Sequence, residues 1–147
     1  MRSIALLLLV LLASCDKPTT VEDFYTSDIT LPGGQVIKTE FVYDTAGALR
    51  GMQFRNSIRP DHGMLYAHRI PGKYGYWMYQ VRIPLDIIWM NQDRRIVEIS
   101  PNTPPCPSKA AHECPSFGGH EKARYVLELA GGGAALYSLR VGDTLNF

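Results

Sequence analysis

The sequence is short of nearly everything that would announce a reaction. It has no Gly-x-Ser-x-Gly elbow, no His-Glu-x-x-His pair and no Gly-Lys-Ser/Thr step, and the run Gly131-Gly132-Gly133 lacks the lysine and hydroxyl of a phosphate cradle. The familiar catalytic signatures are absent. Nor is there an excess of charge: 15 basic side chains stand against 14 acidic ones in 147 residues, which leaves no electrostatic footprint for a polyanion. Nucleic acid is thereby disfavoured as a partner. Cysteine is scarce, at three residues. Long helices are not expected either, because 13 glycines and 10 prolines interrupt the chain. What remains is 46% hydrophobic and 20% charged, too apolar for disorder and enough for one globular domain.

The N-terminal segment carries an address. Met1-Arg2-Ser3 is a short positive start, residues 4–12 form an unbroken apolar run, and small residues follow. That run is about half of the ~18 to 20 residues a spanning helix needs, so it reads as an export signal and not as a membrane anchor. Leu12-Ala13-Ser14-Cys15 resembles the lipobox of bacterial lipoproteins, in which the cysteine thiol receives diacylglycerol before cleavage in front of it. The expected organisation is a signal peptide over 1–14, lipidated Cys15 opening a polar tether over 15–31, and a single β-rich domain over 32–147. The implied location is the bacterial cell envelope, with the membrane as partner through Cys15 and the domain facing the periplasm or exterior. Asp16 matches the residue that tends to retain such proteins at the inner membrane of enteric bacteria.

Within the domain, residues 37–43 alternate Ile37, Thr39, Phe41 and Tyr43 with Lys38, Glu40 and Val42, the period of a half-buried strand. Asp44 and Thr45 are positioned to cap a short helix through Phe54, weakened by Gly47 and Gly51. Five further runs rich in aromatic and branched residues, 64–68, 74–79, 85–90, 95–100 and 124–130, read as strands. A helical turn is expected over 134–139 and a terminal strand over 144–147. The stretch 100–123, with five prolines and no period, is too long for an unsupported loop. The fold class is therefore mainly β, with one short helix after the first strand.

From Gly51 onward a set of motifs falls in order: Gly51-Met52-Gln53-Phe54-Arg55, Asp61-His62-Gly63-Met64-Leu65-Tyr66, Tyr76-Trp77-Met78, Ile83-Pro84-Leu85-Asp86-Ile87-Ile88, Tyr125-Val126-Leu127-Glu128-Leu129 and Val141-Gly142-Asp143. The sequence resembles the prokaryotic family known as domain of unknown function 192. The resemblance implies a compact, mostly antiparallel, barrel-like sheet and carries no catalytic residue with it. Where that family has a polar stretch after Trp-Met, Tyr79-Gln80-Val81 stands here.

The remaining two cysteines, Cys106 and Cys114, are flanked by proline, and in an oxidising compartment they are expected to form a disulfide. The alternative is a metal site adding His112 and His120, a spacing that matches no common zinc module. No cofactor or metal is expected. Asp86 sits among apolar neighbours, so its carboxylate needs a cation or backbone amides. Arg55 is the expected partner in a structural pair; the sharper reading makes Asp86 a general acid or base, or a ligand anchor. His62, next to Asp61, is expected to be a solvated loop histidine, since adjacent side chains on an extended chain diverge. Of the clustered aromatics, Tyr76 and Met78 should share one face and Trp77 and Tyr79 the other. The functional expectation is a binding module in which Trp77 and Tyr79 stack on a ligand oriented by Arg55 and Asp86, with cell-wall glycan or an envelope protein as partner. The rival is an envelope hydrolase or transferase using Asp86 with Arg55 or His62.

Overall fold

The computed structural model describes residues 26–43 and 50–147. The expected signal peptide, Cys15 and most of the expected helix over 44–54 lie outside the described residues. Among the described residues there are eight strands: β1 (Thr26–Thr30), β2 (Val36–Val42), β3 (His62–Gly72), β4 (Tyr76–Trp77), β5 (Leu85–Met90), β6 (Ile96–Thr103), β7 (Ser116–Phe117) and β8 (Ala123–Ala130). One short helix follows, α1 (Gly133–Leu136). Six strands form one sheet in the order β1-β2-β3-β8-β5-β6, and β4 pairs with β7 in a separate ribbon.

Expectations are corrected at the N-terminal edge, in the closure of the sheet and at the C-terminus, and one strand pair departs from an otherwise antiparallel sheet. Residues 26–30, assigned to the tether, form a strand of the sheet. Ile29 and Leu31 are buried, and β1 joins β2 through a turn closed by Leu31 N–H to Gln35 O and Gly34 N–H to Leu31 O. The β2–β3 pair is parallel, with Lys38 opposite His62 and Val42 opposite Tyr66. Its connection through 43–61 has the length that a parallel crossover requires and a hairpin does not. The sheet is open, with β1 and β6 at its edges, and is not closed into a barrel. Towards the C-terminus, where a strand was expected, the described residues make the isolated bridges Thr30–Asn146 and Arg95–Thr144.

Both faces of the sheet are covered, which is why β5 reads Leu-Asp-Ile-Ile-Trp-Met without a polar alternation and is buried at all six positions. Asp86, Ile88 and Met90 point to one side. Ile88 and Met90 pack there with Leu65, Leu127 and Leu129 beneath α1 and the C-terminal residues Leu139 and Leu145. Leu85, Ile87 and Trp89 point to the other, against Met52, Met78, Val81 and Val126. Close approach is enforced at Gly118, whose φ is +61° and where a Cβ would fall 2.3 Å from the Trp89 ring. No side chain fits at that position without displacing the tryptophan.

The stretch 100–123 has its own supports. β6 runs on to Thr103, a 3-10 turn occupies Ala111–Glu113, and β7 anchors the end. Cys106 and Cys114 stand at disulfide distance, with Sγ–Sγ 2.09 Å and Cα–Cα 5.5 Å. The two sulfurs are spent on each other, so the alternative ligand set with His112 and His120 loses its thiolates.

Candidate functional site

Along β8, Leu127 and Leu129 enter the core beneath α1, and the alternation sends Val126 and Glu128 to the opposite face. Glu128 lies in register between Met64 of β3 and Ile87 of β5, near the middle of the sheet, and is only 4% exposed. One carboxylate oxygen, Oε2, accepts a hydrogen bond from Tyr66 Oη at 2.9 Å. Tyr66 is two residues along β3 from Met64 and therefore on the same face. Oε1 carries no hydrogen bond from a described residue, yet it is not sealed from solvent: Glu128 lines a cavity of about 160 Å³. Burial pushes the Glu128 carboxyl up to about 7, against the lowering effects of the Tyr66 hydrogen bond and the Arg55 charge.

The wall of this cavity is aromatic. Tyr66, Tyr76, Trp77 and Tyr79 contribute rings, with Met52 and Val81 supplying the apolar remainder and Arg50 and Gln53 also in the lining. Tyr66 and Tyr76 meet edge to face at 5.3 Å, and Trp77 and Tyr79 lie 5.5 Å apart. Alternation in this segment is as expected, with Met78 buried and Trp77 43% exposed. His68, stacked on Tyr74 at 3.6 Å, shares a hydrogen bond between Nε2 and Tyr76 Oη at 3.1 Å. Burial, assisted by the Arg124 charge, lowers the His68 pKa, so the imidazole is neutral at pH 7. Burial and the Glu128 charge raise the pKa values of both Tyr66 and Tyr76, which stay protonated. The ring-bearing segment is fastened from outside: β4 pairs with β7, and Cys106 N–H donates to Met78 O at 3.2 Å. The disulfide-bearing loop thus holds the aromatic wall in place.

Arg55 faces the same side of the sheet. Its guanidinium grips Glu40 of β2 with two hydrogen bonds of 2.5 and 2.6 Å. A second cavity of about 400 Å³ lies beside it, lined by Glu40, Arg55, Arg59 and His62 among others. His62 is 9% exposed and starts β3, contrary to the expected solvated loop position. Asp61 does orient it, with Oδ1 at 3.0 Å from Nδ1. The reason is a turn closed by His62 N–H to Arg59 O, which folds Asp61 back where an extended chain would point it away. Burial pushes the Asp61 carboxyl up, but the hydrogen bond and charge of His62, together with Arg59, outweigh it and leave the group below its ordinary value.

Asp86 is not paired with Arg55. At 1% exposure it accepts three backbone amides: Asn102 N–H at 2.7 Å and Gly132 N–H at 3.0 Å on Oδ1, and Ala134 N–H at 2.7 Å on Oδ2. It fastens β6 and the start of α1 to β5, on the face opposite Arg55. The structure therefore brings Arg55 and His62 to one cavity and leaves Asp86 out. Trp77 and Tyr79 belong to the smaller cavity. Glu128, Tyr66 and His68 are the residues that sequence reasoning missed. The signal for Glu128 was present in Tyr125-Val126-Leu127-Glu128-Leu129, an acid isolated among apolar strand residues just as Asp86 is.

Fold and site together define a small β-rich domain built on an open, mixed six-stranded sheet, with a ring-lined cavity over one face. The chain belongs to the family DUF192, described as "Uncharacterized ACR", whose model matches residues 28–147. No protein of curated function matches it. Among solved structures it is similar to a protein of unknown function from Novosphingobium aromaticivorans DSM 12444, at 27% identity and a TM-score of 0.74 over 83% of this chain and 85% of that one. It is also similar to a proposed transcription regulator from Sinorhizobium meliloti 1021, at 27% identity and a TM-score of 0.70 over 81% and 89%.

Proposed function

We propose that the protein is a lipid-anchored component of the bacterial cell envelope whose β domain binds a ligand without turning it over, with cell-wall glycan or an envelope protein as its source. The observation that carries the binding reading is the ring-lined cavity with the Glu128 carboxylate in its lining, one of its oxygens bonded by no described residue. Small-molecule sites have this composition: mostly apolar and aromatic walls with a few convergent polar groups. The anchor rests on the lipobox-like Leu12-Ala13-Ser14-Cys15. Among the described residues no helix is long and apolar enough to cross a membrane.

The hydrolase or transferase reading needs Asp86 to work with Arg55 or His62. Asp86 is committed to three amides on the far side of the sheet, which gives that reading no geometric support. A regulatory role on nucleic acid, suggested by the description of the Sinorhizobium protein, finds no basic excess in this sequence to support it. The test is retention of fractionated envelope material by the detergent-solubilised full chain. Stoichiometric, chemically unchanged ligand, held more weakly on Trp77→Ala, supports binding; product formation supports an enzyme.

A further inference from the structure

We infer that the cavity is a receptor for an organic ammonium group, with the cationic nitrogen against Glu128 Oε1 and the rings of Tyr66, Tyr76, Trp77 and Tyr79 around it. This deepens the binding reading above and rests on it.

The argument starts from what Glu128 lacks. The described residues around it supply one hydrogen bond, from a neutral phenol, and none to Oε1, while Glu128 lines the cavity. A carboxylate buried to this degree is costly unless paired, so the position is stable as a neutral acid or as one member of a pair completed by a ligand. No cation among the described residues bonds it. Arg55 acts on Glu128 through its field and holds Glu40 through Nη1 and Nη2. Arg50, from the same segment, is exposed. His68 of β3 is kept neutral by burial and by Arg124 of β8, so it neither neutralises Glu128 nor repels a cation. Tyr66 and Tyr76, from β3 and β4, remain neutral phenols.

The rings point to the same ligand class. Aromatic faces carry negative potential, and a cation within about 6 Å of a ring centroid is attracted by it, most of all by tryptophan. Four rings and one carboxylate surround a volume of about 160 Å³, comparable with the ~150 Å³ void that accommodates benzene. That is room for a trimethylammonium group or for part of an amino sugar. A neutral hydroxyl would also bond Oε1, but it would leave the carboxylate charge uncompensated.

Below pH 7, binding a cation to this acid must release a proton. With Glu128 titrating near 7, the ionised fraction rises about 25-fold between pH 5.5 and 7.5, and the affinity for a permanent cation should rise with it. Titration calorimetry of the full chain with choline and its uncharged isostere 3,3-dimethylbutan-1-ol, in two buffers of different ionisation heat, reads both effects. The expected result is choline binding with proton release, strengthening about 25-fold over that range, and at least tenfold weaker binding of the isostere. Glu128→Gln, which keeps an acceptor for Tyr66, should abolish the pH dependence; Trp77→Ala, at an exposed ring, should weaken binding but preserve it. Glucosamine and N-acetylglucosamine separate the sources: preference for glucosamine over choline assigns an amino sugar, the reverse an alkylammonium, and either supports the inference. Equal binding of charged and uncharged partners overturns it and leaves a neutral-ligand site. Absence of amine binding, in a chain that still retains envelope material through Trp77, also overturns it. Loss of retention as well refutes the binding reading itself.

Discussion

Replacing Glu128 with glutamine should make the protein more stable at neutral pH, and by an amount that depends on pH in a defined direction. In the folded protein the carboxyl titrates near 7, against an ordinary value of 4.5. Below about pH 4.5 the acid is protonated in both folded and unfolded chains and costs nothing. As pH rises from there the unfolded chain ionises first, so stability falls, and the loss is complete above about pH 7. A shift of this size corresponds to about 3 kcal/mol at 1.36 kcal/mol per unit. Glutamine keeps the shape and the acceptor for Tyr66 Oη but cannot ionise, so the variant should lack that loss. His68 contributes with the opposite sign: its lowered pKa gives stability that is present above its ordinary value of 6.5 and lost as pH falls. The difference between parent and variant removes that contribution. Urea unfolding of both at pH 4.5, 6 and 8 should therefore show curves that diverge with pH, the variant ahead by about 3 kcal/mol at pH 8. Parallel curves would refute the argument that burial dominates the Glu128 environment.

Three further outcomes are expected. Asp86→Ala leaves the amides of Asn102, Gly132 and Ala134 without acceptors, at about 1 to 3 kcal/mol for each buried group left unpaired; Arg55→Ala should add to it independently, within about 0.5 kcal/mol, in denaturant unfolding of the double mutant. Non-additive losses would tie the two residues together after all. Native mass measurement without reductant should find Cys106 and Cys114 two hydrogens short, and the double serine variant should lose roughly 2 to 3 kcal/mol of stability; two free thiols would refute the bridge. Cys15→Ser should abolish lipid labelling and leave uncut precursor, whereas an unchanged mature mass with membrane retention would remove the anchor from the proposal.

Strands surrounded on both sides by core were legible because their composition changes abruptly at their ends. Residues 85–90 stand between Pro84 and the polar Asn91, and β5 spans Leu85–Met90. β1 was not legible: Thr-Ser-Asp-Ile-Thr offers one apolar side chain, and its strand state comes from pairing with β2. Parallel pairing of β2 with β3 was invisible for a related reason, since it depends on where the 43–61 connection delivers His62. At the site, alternation set Trp77 on the face opposite Met78 without deciding which of the two is outward. The partners of Asp86 did not, because backbone amides have no residue identity for a sequence to display. The Asp61–His62 contact was hidden by a turn that local composition did not mark. Glu128 was readable by the criterion applied to Asp86, but that criterion does not tell an acid satisfied by amides from one facing a cavity.

The order β1-β2-β3-β8-β5-β6 has a consequence for how the chain acquires its structure. The first three strands can assemble as one ribbon and β5 with β6 as another, but β3 and β5 each keep an unpaired edge until β8 enters between them. β8 is the last long strand among the described residues to leave the ribosome. A nascent chain that includes β6 but stops short of β8 is therefore two incomplete ribbons with open edges, the kind of surface that pairs with other chains, and neither ribbon has its full apolar face covered. Joining them is a contact between residues distant in sequence, so it is slow compared with hairpin closure. The same insertion brings Glu128 between Met64 and Ile87, so the cavity and the completed sheet come into being in a single step.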